Sequence, residues 1–197
     1  MVKKKNKITA VIQARLNSTR FKNKILKKIK GKEVIKILIE RLKLSKEIND
    51  IIVAIPNTRS NDSLELFLKK NNINVFRGSE KNVLKRFLEC SRKNNINNIV
   101  RITSDCPLID PKILDKMARE FKKNNLDYFS NIQERTFPDG MDIEFIKKET
   151  LEKSYKNVIY DYDKEHVTPY ILRSNIFKKK NYLNKKDYSG IRITLDY

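Results

Sequence analysis

The sequence predicts an α/β fold in which a mostly parallel sheet is covered by helices. Short apolar runs of strand length alternate with longer amphipathic runs of helical length along most of the chain. The composition agrees, because 39% hydrophobic and 35% charged residues are typical of a globular protein with a charged surface. A chain of 197 residues is long enough for one domain with a sizeable core, so we expect a single domain over 1–197.

The first half contains three predicted strand–helix units. The strands are apolar runs at Ile8–Ile12, Ile51–Ile55 and Val75–Phe76. The helices repeat apolar residues at intervals of three and four, at Val34–Leu44, Asp62–Lys70 and Asn82–Asn94. Pro56 ends the second strand and Arg77-Gly78-Ser79 closes the third, so turn-forming residues separate the units.

The second half continues this pattern and then departs from it. A strand at Asn98–Thr103, a helix at Ile113–Lys123 and a strand at Tyr128–Phe129 come first. After a Pro-Asp-Gly turn, an alternating strand is predicted with Met141, Ile143 and Phe145 opposite Asp142 and Glu144, and then a helix at Lys147–Lys156. A helical turn near Glu165, broken by Pro169, and a last strand at Ile191–Leu195 follow. Because a core strand rarely ends a domain, we expect that a C-terminal helix is missing.

The net charge of +20 does not by itself predict a nucleic-acid partner. Most of the excess is lysine spread over every predicted helix and loop, and lysine, asparagine and isoleucine all have A/T-rich codons. A nucleic-acid-binding module would instead need clustered arginines with exposed aromatic residues. No apolar run approaches a membrane span, no export signal is evident, and Cys90 and Cys106 make no disulfide framework. We therefore expect a cytoplasmic protein without membrane or nucleic-acid partners.

The most informative segment follows the first predicted strand. Arg15, Arg20 and Lys24 lie there together with the hydroxyl of Ser18. In open α/β sheets ligands bind beyond the carboxyl ends of the strands, and arginine and lysine suit the oxygens of a polyphosphate. A solvated loop in a lysine-rich protein is the alternative, but the position after a buried strand favours a nucleotide site.

Two aspartates complete a candidate metal–nucleotide site. Asp105 follows the strand Asn98–Thr103, and Asp196 follows the last predicted strand. Mg²⁺ prefers one or two carboxylates together with phosphate oxygens and water, so both could hold one ion. The alternatives are an Asx turn before Pro107 and an ordinary acidic residue near the end of the sequence.

Five segments in this order resemble the cytidylyltransferases that activate acidic sugars, the CMP-Kdo and CMP-sialic acid synthetase group. The resemblance is greatest to the branch of spore-coat polysaccharide biosynthesis. The matching segments are IQARLNSTRFKNK with its two arginines and lysine, FRGS at 76–79, TSDCPLID around Asp105, EHVTPY at 165–170 and the final Leu195-Asp196. Ser104 stands where the family pattern has glycine, which could crowd the approach of a phosphate.

The resemblance implies a Rossmann-like, three-layer α/β/α nucleotidyltransferase fold and a homodimer. It implies transfer of CMP from CTP to a 2-keto-3-deoxy or nonulosonic sugar, with release of pyrophosphate and Mg²⁺ on Asp105 and Asp196. The residues expected to act in catalysis are Arg15, Lys24 and Asp105. Those expected at the nucleotide are Ala14, Arg15, Ser18, Arg20, Lys24, Arg77, Gly78, Thr103 and Ser104.

The acceptor pocket is expected in the late segments, which cover the sugar in this fold. The candidates are Arg101, Asp139, Asp142, Glu144, Glu165 and His166. Carboxylates can accept hydrogen bonds from sugar hydroxyls, Arg101 could meet a sugar carboxylate, and His166 could equally be a structural histidine. Another sugar nucleotidyltransferase, a glycosyltransferase of similar fold and an inactive homologue remain alternatives. No Asp-x-Asp motif of the glycosyltransferase kind occurs near Asp105.

Overall fold

The computed structural model describes residues 7–16 and 23–195 and has the predicted α/β architecture. Its strands are β1 Ile8–Gln13, β2 Lys28–Ile29, β3 Lys32–Glu33, β4 Asp50–Pro56, β5 Asn74–Gly78, β6 Asn98–Thr103, β7 Tyr128–Ser130, β8 Glu144–Lys147 and β9 Lys179–Asn181. Its α-helices are α1 Val34–Lys43, α2 Asp62–Lys70, α3 Val83–Lys93, α4 Pro111–Asn124, α5 Lys148–Asn157, α6 Asp161–His166 and α7 Pro169–Arg173. Within the described residues, no helix is long and apolar enough to cross a membrane.

The main sheet, as far as it is described, has seven strands in the order β5-β4-β1-β6-β8-β7-β9. β1 pairs in parallel with β4 on one side and with β6 on the other, while β8 runs antiparallel to its neighbours. The chain moves outward from β1 to β5 and then returns to form β6 beside β1. This reversal creates a topological switch point at the carboxyl ends of β1 and β6, where open α/β sheets bind ligands.

Alternation along β1 explains the three layers. Ile8, Ala10 and Ile12 lie in one apolar core, which contains residues of α1, α2 and α4, and Val11 lies in a second core with residues of α3, α5 and α7. Because side chains alternate along a strand, Gln13 lies on the same face of the sheet as Val11. The face that carries Gln13 is thus the face covered by α3.

Two predicted elements differ from the structure. Ile191–Leu195 is not a strand: it contributes an isolated bridge between Arg192 and Asp139, and Ile191 is exposed. The alternating strand begins at Glu144 rather than at Met141, and Glu144 is buried rather than facing solvent. In both segments hydrogen bonds to neighbouring loops replace a regular ladder: 191–195 bonds to Asp139 and Asp105, and 141–143 bonds to the side chain of Asn131. The hairpin of β2 and β3, which the sequence analysis did not predict, turns at Lys30 and Gly31, both with positive φ.

Candidate active site

A cleft of about 720 Å³ opens at the switch point. Its floor is formed by the ends of β1 and β6, whose last residues, Gln13 and Thr103, lie side by side in the parallel ladder. Its lining residues are Gln13, Ala14, Arg15, Lys24, Glu80, Lys81, Asn82, Val83, Arg86, Thr103, Ser104, Asp105, Asp161, Lys164, Glu165 and His166. The cleft therefore lies between the loops after β1 and β6 on one side and the start of α3 and α6 on the other.

Lys24 and Asp105 form an ion pair at one end of the cleft. The Nζ atom of Lys24 lies 3.2 Å from Oδ2 of Asp105, and the Asp105 side chain is 34% exposed. Burial alone would raise the pKa of Asp105, but a hydrogen bond from Thr103 and the charge of Lys24 outweigh it, so the pKa lies below its ordinary value. Asp105 is therefore a carboxylate at neutral pH and presents an anionic oxygen to the cleft.

Arg86 is a buried cation in the wall of the same cleft. It is 2% exposed, its Nη1 donates to the carbonyl of Ser79 at 2.7 Å, and its buried Nε has no partner. Burial and the nearby charge of Arg15 lower its pKa to about 10, so it remains protonated at neutral pH. Among the described residues no carboxylate pairs with it within 4.0 Å. Two cations, Arg15 and Arg86, thus share an environment that is suited to an anionic ligand.

Helix α6 forms the wall that carries Glu165 and His166. The buried carboxylate of Asp163 accepts two hydrogen bonds from Arg173, which fastens α6 to α7. Between the helices, Val167 has φ 71° and ψ −51°, and the amide of Thr168 donates to the carbonyl of His166 at 2.8 Å. This is a γ-turn, a strained conformation for a β-branched residue. The turn and the ion pair together fix the position of His166, the last residue of α6, relative to α7.

Comparison with known proteins places this geometry in a family. The sequence profile described as "Cytidylyltransferase" matches residues 9–195. The chain belongs to the cytidylyltransferase family. An uncharacterized protein of Methanocaldococcus jannaschii is 41% identical over 96% of this chain and 78% of its own length. Spore coat polysaccharide biosynthesis protein SpsF of Bacillus subtilis is 32% identical over 84% of this chain and 70% of its own.

Two further comparisons support the family, and the first is with a protein whose name includes an acidic sugar. A 3-deoxy-manno-octulosonate cytidylyltransferase of Geotalea daltonii is 32% identical over 56% of this chain and 43% of its own length. The solved structure of a cytidylyltransferase from Leptospira borgpetersenii superposes with a TM-score of 0.92 at 38% identity, covering 97% of this chain and 82% of that one. The predicted fold and the predicted family are therefore confirmed, and this chain has the nucleotidyltransferase architecture.

The structure brings most of the predicted nucleotide residues of the cytidylyltransferase together. Five of the nine line the cleft, namely Ala14, Arg15, Lys24, Thr103 and Ser104, and so does Asp105, which was predicted for catalysis and metal binding. Ser18, Arg20 and Asp196 lie outside the described residues. Arg77 lies outside the cleft lining and pairs with Asp62 and Glu65, at 2.7 and 2.5 Å. Gly78 also lies outside it, packed so closely that a Cβ atom would come within 2.8 Å of Cγ of Arg86.

The predicted acceptor residues separate into three groups. Glu165 and His166 line the cleft. Asp142 receives two hydrogen bonds from Arg135, at 2.8 and 2.9 Å, and Asp139 lies 3.8 Å from the same arginine. A correction is needed for the third group, because Arg101 and Glu144 pair with each other below the cleft and Glu144 is 2% exposed. A carboxylate buried in this way cannot contact a sugar directly.

Sequence reasoning missed several residues that line the cleft, among them Gln13 and Arg86. For Arg86 a signal was present, since it interrupts the apolar face that Val83, Phe87 and Cys90 form on a predicted helix. A charged residue on a buried helix face requires a partner or a ligand. For Gln13 the signal was weaker: it is the last residue of a buried strand, on the ligand-binding edge of the sheet.

Neither cysteine is expected to react readily in the folded protein. Cys90 and Cys106 are buried, and burial raises the pKa of each thiol to about 12, with the charge of Asp105 adding to the effect at Cys106. We expect a thiol reagent to label the native protein roughly 100-fold or more slower than the unfolded chain. Spectrophotometric titration with a disulfide reagent, with and without denaturant, measures this. A thiol that reacts rapidly in the native protein would contradict the burial of both cysteines.

Proposed function

We propose that this cytidylyltransferase transfers the cytidylyl group of CTP to an acidic sugar for surface polysaccharide biosynthesis. The observation that carries the proposal is the convergence of Arg15, Lys24, Arg86 and Asp105 on one cleft at the switch point of the sheet. The names of the relatives support CTP as nucleotide and a 3-deoxy-octulosonic or similar sugar as acceptor. The chemistry of the cleft agrees, because its cations suit a triphosphate.

The reaction needs positioned charges more than a protein nucleophile. A hydroxyl of the sugar would attack the α-phosphorus of CTP, the new P–O bond would form as the bond to the β-phosphate breaks, and pyrophosphate would leave. Arg15, Lys24 and Arg86 would bind the phosphates and stabilise the negative charge that grows on the leaving group. The buried thiols of Cys90 and Cys106 stay protonated, so they are poor candidates for covalent catalysis.

A divalent cation belongs to this proposal, and the residues present fit one. Asp105 is a partly exposed carboxylate of lowered pKa in the cleft, which is the hard oxygen ligand that Mg²⁺ prefers. Within the described residues no cluster of three or more His, Cys, Asp or Glu side chains could hold a metal by itself. Mg²⁺ bound by Asp105, with Asp196 as the second carboxylate, would take its other ligands from phosphates and water. When bound, it would supply charge neutralisation for the phosphates.

The acceptor would occupy the side of the cleft formed by α6. Glu165 can accept hydrogen bonds from sugar hydroxyls, and His166 and Lys164 can donate to a sugar carboxylate. The rigid connection between α6 and α7 would hold these groups in place without ligand. The homodimer and the cytoplasmic location expected from the sequence are part of this proposal, and analytical ultracentrifugation tests the first.

Pyrophosphate release tests the proposal directly. The chain is incubated with each of the four nucleoside triphosphates, Mg²⁺ and a panel containing 3-deoxy-manno-octulosonate, N-acetylneuraminate and neutral sugars. We expect release with CTP and an acidic sugar, together with a CMP-sugar product in equal amount. Turnover with UTP or GTP would favour another sugar nucleotidyltransferase. Absence of both turnover and calorimetric CTP binding would contradict the proposal.

A further inference from the structure

A row of partly and fully buried polar side chains crosses four neighbouring strands below the cleft. It begins at Gln13 on β1, continues through Arg101 on β6 and Glu144 on β8, and ends at Tyr128 on β7. Arg101 donates to Oε1 of Gln13 at 2.9 Å and pairs with Glu144, and the hydroxyl of Tyr128 donates to Oε2 of Glu144 at 2.6 Å. Gln13 lines the cleft, so the row connects the interior of the sheet to the ligand-binding face.

The row fixes the orientation of the Gln13 carboxamide. A guanidinium group can only donate hydrogen bonds, so the atom of Gln13 that faces Arg101 must be its oxygen. The NH₂ group must then point away from Arg101. No described residue accepts a hydrogen bond from this NH₂ group, and Gln13 is only partly buried where it lines the cleft. Gln13 therefore presents a donor of fixed direction in the cleft.

Stability alone does not account for the charges in this row. The side chains of Arg101 and Glu144 are 11% and 3% exposed, and Nε of Arg101 is buried without a partner among the described residues. Burying two charges costs free energy that their attraction often fails to recover, and apolar residues of similar volume are commonly as stable. The ion pair with Glu144 instead holds Arg101 in a fixed position, from which it donates to the oxygen of Gln13.

We propose that Gln13 donates a hydrogen bond from its NH₂ group to an oxygen of a bound reactant, and that Arg101 and Glu144 are positioning residues for it. This inference rests on the proposed function, because it assigns Gln13 to the same reaction. The accepting oxygen belongs either to a phosphate of CTP or to the acceptor sugar. Separate measurement of the two Michaelis constants distinguishes these sources.

The first test removes the donor of Gln13. Gln13→Glu keeps an oxygen for Arg101 and nearly the same shape, but it replaces the NH₂ group with an acceptor. Gln13→Met removes the donor without adding charge. We expect both variants to fold and to raise the KM of one reactant about 10-fold or more. Gln13→Glu should keep its melting temperature, whereas Gln13→Met should lower it, because Arg101 loses an acceptor. Calorimetry with CTP alone supplies a second reading, since a phosphate contact would weaken CTP binding in the absence of sugar.

The second test separates positioning from structure. A variant that combines Arg101→Met, Glu144→Met and Tyr128→Phe removes the charged row while conserving its volume. We expect it to fold, and to raise the same KM as Gln13→Met does. Adding Gln13→Met to this variant should raise that KM no further, because the row acts through Gln13. As a control, Asp115→Asn alters a buried carboxylate outside the cleft that accepts hydrogen bonds from Ser45 and the amide of Lys46, and it should leave both KM values unchanged.

The outcomes distinguish the two proposals. If the wild-type chain transfers cytidylyl groups but both Gln13 variants keep both KM values within twofold, the inference is overturned and the proposed function stands. If Gln13→Met raises the KM of the triple variant by the same factor as it raises that of the wild-type chain, the positioning role of Arg101 and Glu144 is overturned. If the wild-type chain neither binds CTP nor turns it over, both proposals fail.

Discussion

Asp105→Asn is expected to reduce cytidylyl transfer by about 1,000-fold while the fold is retained. The substitution preserves the size of the side chain and one acceptor oxygen, but it removes the negative charge that the cleft holds beside Lys24. In a reaction that depends on positioned charge, loss of one such group costs on the order of 100- to 1,000-fold, and a metal ligand lies at the upper end. Steady-state pyrophosphate release with CTP and an acidic sugar measures the loss, and circular dichroism checks the fold.

Asp110→Asn is the matched control for this prediction. Asp110 lies in the same loop and does not line the cleft, and its side chain caps α4 by accepting from the amides of Lys112 and Ile113. Asparagine is an equally good helix cap, so this variant should keep both its stability and its activity. If Asp105→Asn retained full Mg²⁺-dependent activity, the assignment of Asp105 as the metal ligand would be wrong.

The fold could be predicted from sequence because its strands and helices carry simple periodic patterns. The strand Asn98–Thr103 was predicted with the bounds that the structure has, and the helix Asp62–Lys70 likewise. Both are continuous patterns within one element, bounded by turn-forming residues. The prediction for the final segment was wrong because it also relied on a local pattern alone. Ile191–Leu195 alternates like a strand, but its backbone bonds to Asp139 and Asp105 in loops, which no local pattern records.

The site was predictable where its residues follow the ends of strands. Arg15 and Asp105 could be placed at one edge because parallel strands end on the same side of a sheet. Glu144 and Arg101 could not be assigned in this way. A charged residue on a strand is normally assumed to face solvent, and only the pairing of β6 with β8 reveals that these two charges neutralise each other in the interior. Such pairs depend on strand order, which periodicity does not encode.

Arg86→Met is expected to separate activity from stability. The side chain is 2% exposed, and its charge is held in the cleft wall without a carboxylate partner among the described residues. Methionine fills a similar volume without charge, so the melting temperature should stay the same or rise despite the lost hydrogen bond to Ser79. Activity should fall about 100-fold, because a cation beside the phosphates is lost. Thermal denaturation tests the stability, and pyrophosphate release together with CTP binding by calorimetry, measured on the same preparation, tests the loss of activity.

Arg41→Met is the control for the prediction that Arg86→Met lowers activity without lowering stability. Arg41 also donates to a backbone carbonyl, that of Ile109 at 2.7 Å, but it lies on α1 outside the cleft. Its replacement should leave CTP binding unchanged. If Arg86→Met lowered the melting temperature sharply and left CTP affinity intact, Arg86 would be a structural residue that supports Ser79. If instead stability is kept and affinity falls, the buried charge of Arg86 acts in nucleotide binding.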